Sequence, residues 1–184
     1  MKILLHICCG PCSLYPLQAL REEGMELEGF FYNPNIHPYR EYLRRWEALH
    51  QVAEAEGLAV RHRWEYELEK FLARVAQFPS ERCRHCYELR LEKAAREAAE
   101  GGFAAFTTTL LVSPWQKHDL IRQVAEEVAG RVGVPFLYRD FRPGYRQGQQ
   151  RARELGIYRQ PYCGCIYSEK ERYARSRPDV ARAR

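Results

Sequence analysis

Short apolar runs alternate with helical periods along this chain, and that alternation constrains the fold more than any other feature. Lys2 to Cys8, with Ile3-Leu4-Leu5 unbroken, reads as a buried strand, and Leu14 to Glu23 reads as a helix. Leu27 to Tyr32 is a second strand, ended by Asn33-Pro34-Asn35. Over Tyr39 to Glu56, Tyr42, Trp46, Leu49 and Ala53 share one face, which predicts a helix with Gly57 at its C-cap. Leu58 to Trp64 returns as a strand. Helices follow over Glu67 to Phe78 and over Cys86 to Ala99, the second stopped by Gly101-Gly102. Phe103 to Thr108 reads as a strand, Lys117 to Val132 as a helix, Pro135 to Tyr138 as a short last strand and Tyr145 to Leu155 as a helix ended by Gly156.

Alternation with such short connections implies an α/β fold of Rossmann-like layout, a parallel sheet with helices on both faces. In 184 residues, 46% of them hydrophobic, there is material for one core and no repeat or linker to divide it. The chain therefore reads as a single α/β domain over 1–184, with 157–184 a small C-terminal basic, cysteine-bearing appendage. No stretch approaches the roughly 20 apolar residues of a membrane helix. The opening MKILLHICCG is too weakly apolar for a signal peptide, so the expectation is a cytoplasmic protein with no membrane partner.

The net charge of +5 is unevenly placed. Residues 139–184 hold eleven Arg and one Lys against five Asp plus Glu, while the preceding residues are slightly acidic. An arginine-rich end on a near-neutral body points to a polyanion, with a solvated surface and the tail RSRPDVARAR as the plainer account.

Seven cysteines fall into three tight groups: Cys8, Cys9 and Cys12; Cys83 and Cys86; Cys163 and Cys165. An odd count without a secretion signal argues against a disulfide framework. The first group follows the first strand, where an open parallel sheet places its ligand site. That loop is CCGPC and not a glycine-rich phosphate cradle, and no nucleotide-hydrolysing motif is present. Cys9-Gly10-Pro11-Cys12 has the spacing of a thioredoxin-type pair, but the other cysteines exceed what a dithiol enzyme needs. Cys83, Cys86, Cys163 and Cys165 supply four thiolates, which suits a structural zinc or an iron–sulfur cluster; the extra trio suggests a second metal or an open redox centre. All seven are candidate metal ligands.

Six stretches in order, "HICCGPCS", "FFYNPNIHPYREYLRR", "RCRHCYELRLEKAA", "FTTTLLVSPWQKHDLI", "YRDFRPGY" and "GIYRQPYCGCIYSEKER", together resemble the QueH-type epoxyqueuosine reductases. The resemblance spans residues 6 to 172 and implies a HUP-type α/β layout. It implies reductive removal of the epoxide oxygen of epoxyqueuosine at the tRNA wobble position, leaving queuosine and water. It implies a 4Fe-4S cluster, a further metal nearby (a mononuclear iron or another metal), no cobalamin, and an electron donor that the sequence does not identify.

Carried onto this chain, the resemblance gives Cys8, Cys9, Cys83, Cys86, Cys163 and Cys165 a ligand role, with Cys12 at a position expected to vary between Cys and Asp. Grouping along the sequence assigns Cys83, Cys86, Cys163 and Cys165 to the cluster and Cys8, Cys9 and Cys12 to the adjacent metal. Proton-donor candidates are His6, Tyr145, Tyr162 and Asp140; Tyr162 stands with the trio as a catalytic candidate. The tRNA anticodon loop would meet Arg142, Arg146, Arg151, Arg153 and Arg159, with Trp115 or tyrosines to stack on bases. Two other readings remain at this point. A cluster-dependent tRNA thiolation enzyme lacks its adenylating loop, and a zinc-stabilised RNA-binding module leaves Cys8-Cys9 without a use.

Overall fold

A computed structural model describes residues 1–62 and 65–174. Four parallel strands, β1 (Lys2–His6), β2 (Glu26–Phe31), β3 (Val60–His62) and β4 (Ala105–Thr108), form one sheet in the order β3-β2-β1-β4. β1 is central, paired with β2 and β4, and Ile3, Leu4 and Leu5 are fully buried. Cover on both faces is what an unbroken apolar strand requires. Gly29 lets β2 lie close to its neighbours, since a Cβ there would meet Ile7 Cδ1 at 2.9 Å.

The helices are α1 (Gly10–Glu22), α2 (Tyr39–Glu56), α3 (Leu68–Val75), α4 (Arg82–Glu100), α5 (His118–Val132), α6 (Tyr145–Glu154) and α7 (Ile166–Tyr173). α1 packs on α2 and α6, and α4 packs on α5. β1–α1–β2–α2–β3 runs in one direction across the sheet and β4 returns to the other side of β1. Right-handed crossovers therefore place α1 and α2 on one face and α4 on the other. α2 ends as its sequence predicts, with Gly57 in the left-handed conformation at φ 58°.

Several boundaries differ from the sequence expectation. α1 begins at Gly10 and not Leu14, because Cys9 adopts an extended conformation as N-cap and Pro11 suits a first helical turn. α4 begins at Arg82, so Cys83 and Cys86 share one helix. Pro135 to Tyr138 contributes a single parallel bridge, Phe106 to Phe136, and no extended strand. α7 was not foreseen; its N-cap is Cys165, whose sulfur accepts from the Ser168 N–H. The end of the expected third strand at Trp64 and the tail RSRPDVARAR lie outside the described residues. Among the described residues no helix is long and apolar enough to cross a membrane.

Candidate metal centre

The carboxyl ends of β1, β2 and β4 converge at the N-terminus of α1. Backbone geometry there is tight: a Cβ on Gly10 would lie 2.4 Å from the Ala48 carbonyl oxygen, so α1 can approach α2 this closely only with glycine. Cys8, Cys9 and Cys12 bring their three sulfurs within 4.8 Å of one another, with Cys8 and Cys9 3.8 Å apart. Two thiolates about 2.3 Å from one tetrahedral ion stand roughly 3.8 Å apart, so the trio fits a metal–thiolate site. All seven cysteines are free.

Neighbouring groups hold the trio in place. The Thr109 hydroxyl donates to Cys8 Sγ at 3.4 Å and accepts from the Cys8 N–H at 3.1 Å. Gln160 donates its amide to Cys9 Sγ at 2.9 Å and Cys12 Sγ at 3.5 Å. Donation from Cys12, Cys9 and Thr109, with the charge of Arg90, holds the Cys8 thiol well below its usual range. Burial pushes the Cys9 thiol up, and hydrogen bonding to Cys8 and Cys9 does the same for Cys12.

The second set lies beside the first. Cys86 and Cys165 are buried together with Phe71 and Val75, Cys83 is half-buried, and Cys163 is exposed at the rim. Gln116 donates to Cys163 Sγ at 3.2 Å. Burial raises the Cys86 thiol to about 12, with the other three cysteines of the set adding to the effect and Arg90 opposing it. No three of these four sulfurs fall within 4.8 Å of one another among the described residues.

Two buried arginines complete the centre, and sequence reading missed both. Arg45 Nε pairs with Glu41 Oε1 at 2.8 Å, while Nη1 and Nη2 donate to the carbonyls of Cys163 and Tyr162 at 2.8 and 2.9 Å. This clamp carries the C-terminal segment onto α2. Gly164 is at φ +131°, a conformation other residues rarely adopt, and a Cβ there would meet Arg45 Nη1 and Ile36 Cγ1, each at 3.1 Å. Arg90, on α4, is 1% exposed and donates Nε to the Cys86 carbonyl at 3.3 Å. In sequence both looked like ordinary charged helix positions. A signal was present for Arg90, which lies four and seven residues beyond Cys86 and Cys83 on one helix face.

A cleft of about 510 Å³ opens over the two cysteine sets, reached by Cys8, Cys12, Cys163, Tyr145, Trp115 and Arg159. Trp115 is 84% exposed at its edge. The remaining candidates fall elsewhere. His6 is fully buried, paired through Nδ1 with the Thr108 hydroxyl and through Nε2 with the Tyr32 carbonyl, and burial lowers it to about 4. Tyr162 reaches the cleft, but its hydroxyl donates to the His37 carbonyl. Asp140 forks onto Arg142 at the surface. Arg146 and Arg153 are exposed on α6. Arg151 faces a separate groove of about 690 Å³ between α1 and α6 that no cysteine lines. Asn33 donates to the Ile7 carbonyl at 2.8 Å and ties β2 to β1.

Comparison with known proteins agrees with this geometry. The solved structure of the "predicted subunit of tRNA methyltransferase" from Methanocaldococcus jannaschii is similar in fold, with TM-score 0.58 and 14% identity, covering 84% of this chain and 75% of that one. Epoxyqueuosine reductase QueH of Dehalococcoides mccartyi is 37% identical over 174 residues, 95% of this chain and 96% of its own. The QueH of Thermotoga maritima is 39% identical over 180 residues, 92% of this chain and 91% of its own. The family described as Epoxyqueuosine reductase QueH matches residues 3–171. With its paired cysteine sets and this extent of similarity, the chain belongs to the epoxyqueuosine reductase QueH family.

Proposed function

We propose that the chain reduces epoxyqueuosine in the anticodon loop of tRNA to queuosine, in the cytoplasm and without cobalamin. The observation that carries this reading is a compact cysteine trio sharing one cleft with Cys163 of the second cysteine set, in a chain of this family. The net change consumes two electrons and two protons; the two C–O bonds of the epoxide break, a C=C bond forms and the oxygen leaves as water. Cys83, Cys86, Cys163 and Cys165 would hold a 4Fe-4S cluster, and Cys8, Cys9 and Cys12 an adjacent mononuclear iron. When bound, these groups supply the electrons, replenished by an external donor, and Lewis acidity toward the epoxide oxygen.

The chain's own residues do the remaining work. Gln160, Gln116 and Thr109 orient the sulfurs, and Arg45 keeps the Tyr162–Cys163 backbone against the site. Tyr145 and Tyr162 are the two tyrosines that line the cleft; Tyr162 serves as donor by exchanging its bond to His37, whereas His6 stays neutral and committed to the core. Trp115 and Arg159 at the rim suit a splayed base and its phosphate. Arg142, just before α6, and Arg146 and Arg153 on it extend the basic surface, while Arg151 opens on the groove between α1 and α6.

The test is anaerobic purification with iron, acid-labile sulfide and zinc analysis, followed by turnover of epoxyqueuosine-tRNA with a chemical reductant. Brown protein with more iron than sulfide and formation of queuosine is the expected result. Colourless protein carrying stoichiometric zinc refutes the reading.

A further inference from the structure

Two guanidinium groups are buried at this centre, and they are satisfied differently. Arg45 has a carboxylate, Glu41, at 2.8 Å and spends its other nitrogens on two carbonyls. Arg90 is equally buried, yet no carboxylate lies within ion-pair distance of it among the described residues. Its Nη2 has no hydrogen-bond partner, and its Nε bond to Cys86 belongs to the helix that carries it. Removing a charged group from water without a counter-charge is costly, so folds rarely retain one. Its guanidinium carbon lies 5.7 Å from the centre of the Tyr87 ring, and Cys86, Cys163 and Cys8 are near enough for their charge to act on it. Among the described residues, Arg90 is thus a buried arginine that lies near both cysteine sets without a carboxylate of its own.

We propose that Arg90 is a positioning residue for the redox centre: its buried guanidinium, with Nη2 left unpartnered, is the built-in counter-charge to the bound thiolate groups and raises the centre's reduction potential. The inference rests on the cofactor reading given above. A fixed positive charge favours the form with more electrons, so losing it makes reduction harder. The same charge stabilises the thiolate state that ligation requires.

The experiment compares the parent chain with Arg90→Met, similar in length and uncharged, and Arg90→Lys, which restores the charge. Each is purified anaerobically, assayed for iron and sulfide, and titrated reductively with absorption and electron paramagnetic resonance as readouts. The expected result is a lower midpoint potential for Arg90→Met at unchanged iron and sulfide, with Arg90→Lys returning toward the parent. A folded Arg90→Met that loads no cluster while Arg90→Lys does also supports the counter-charge. Equal potentials at equal loading overturn the proposal, as does loss of loading in both variants. A metal-free Arg90→Met that melts more than about 4 °C below the metal-free parent, or fails to fold, overturns it too, because packing then explains the arginine. A parent chain that takes up neither iron nor sulfide refutes the cofactor reading itself, whereas equal potentials refute only the role of Arg90.

Discussion

Replacing Arg45 by methionine tests how the C-terminal cysteines are held. The side chain is 1% exposed, and its partner Glu41 is 7% exposed. Arg45→Met leaves the Glu41 carboxylate buried with only the Tyr158 hydroxyl, at 2.7 Å, and strips donors from the carbonyls of Cys163 and Tyr162. Breaking a buried ion pair from one side costs about 3–5 kcal/mol. That is a large part of the roughly 5–15 kcal/mol that keeps a domain folded. At about 2–4 °C per kcal/mol, melting of the metal-free chain should fall by roughly 6–20 °C. Denaturant unfolding under reducing, anaerobic conditions measures the loss, and the rate of Cys163 alkylation, which should rise, reports release of the segment. The double variant Glu41→Gln/Arg45→Met should recover part of the stability, because no buried charge is left alone. A loss below about 1 kcal/mol, or a double variant no more stable than the single one, refutes the clamp.

Other expectations follow from the same geometry. Trp115→Ala should weaken binding of an anticodon stem-loop by about 5- to 150-fold, the worth of one stacked base, with kcat little changed; equal affinity in a gel-shift titration would remove Trp115 from the interface. Gly10→Ala should destabilise the fold by about 1–3 kcal/mol and disturb iron uptake, since the added Cβ meets the Ala48 carbonyl oxygen at 2.4 Å; unaltered unfolding would show that α1 can shift freely. Burial opposes ionisation of Glu28, but Arg61 and Lys2 outweigh it and hold the carboxyl below its usual range. Its contribution is therefore present at neutral pH and lost as pH falls below about 4.5 through the folded value. Arg61 and Lys2 are 37% and 42% exposed, so Glu28→Gln should cost no more than about 1 kcal/mol at pH 7, and that cost should shrink steadily on acidification below about 4.5; a cost that does not shrink contradicts the ion-pair account.

Local pattern determined much of this molecule. Apolar runs of strand length and the 3.6-residue stripe of Tyr42, Trp46 and Leu49 are short-range properties, and they marked β1, β2, β4, α2 and α5 to within a few residues. The three cysteine groups were equally legible, because adjacent or near-adjacent thiols can serve one centre whatever the rest of the chain does. Where elements begin was less so: Cys9 as an N-cap and the helical turn at Arg82 depend on neighbours outside the local window.

Only the tertiary structure decided what surrounds those cysteines. It brought the sulfurs of Cys8, Cys9 and Cys12 within 4.8 Å of one another and buried Arg45 and Arg90 nearby. In sequence an arginine on an amphipathic helix belongs to solvent, since burying its charge is costly until a partner is supplied. For Arg45 part of that supply is the Cys163 carbonyl, 118 residues away; Gln160 reaches Cys9 across 151. Contacts over such distances leave no period or spacing in the chain, because they are created by the crossovers that fold the sheet.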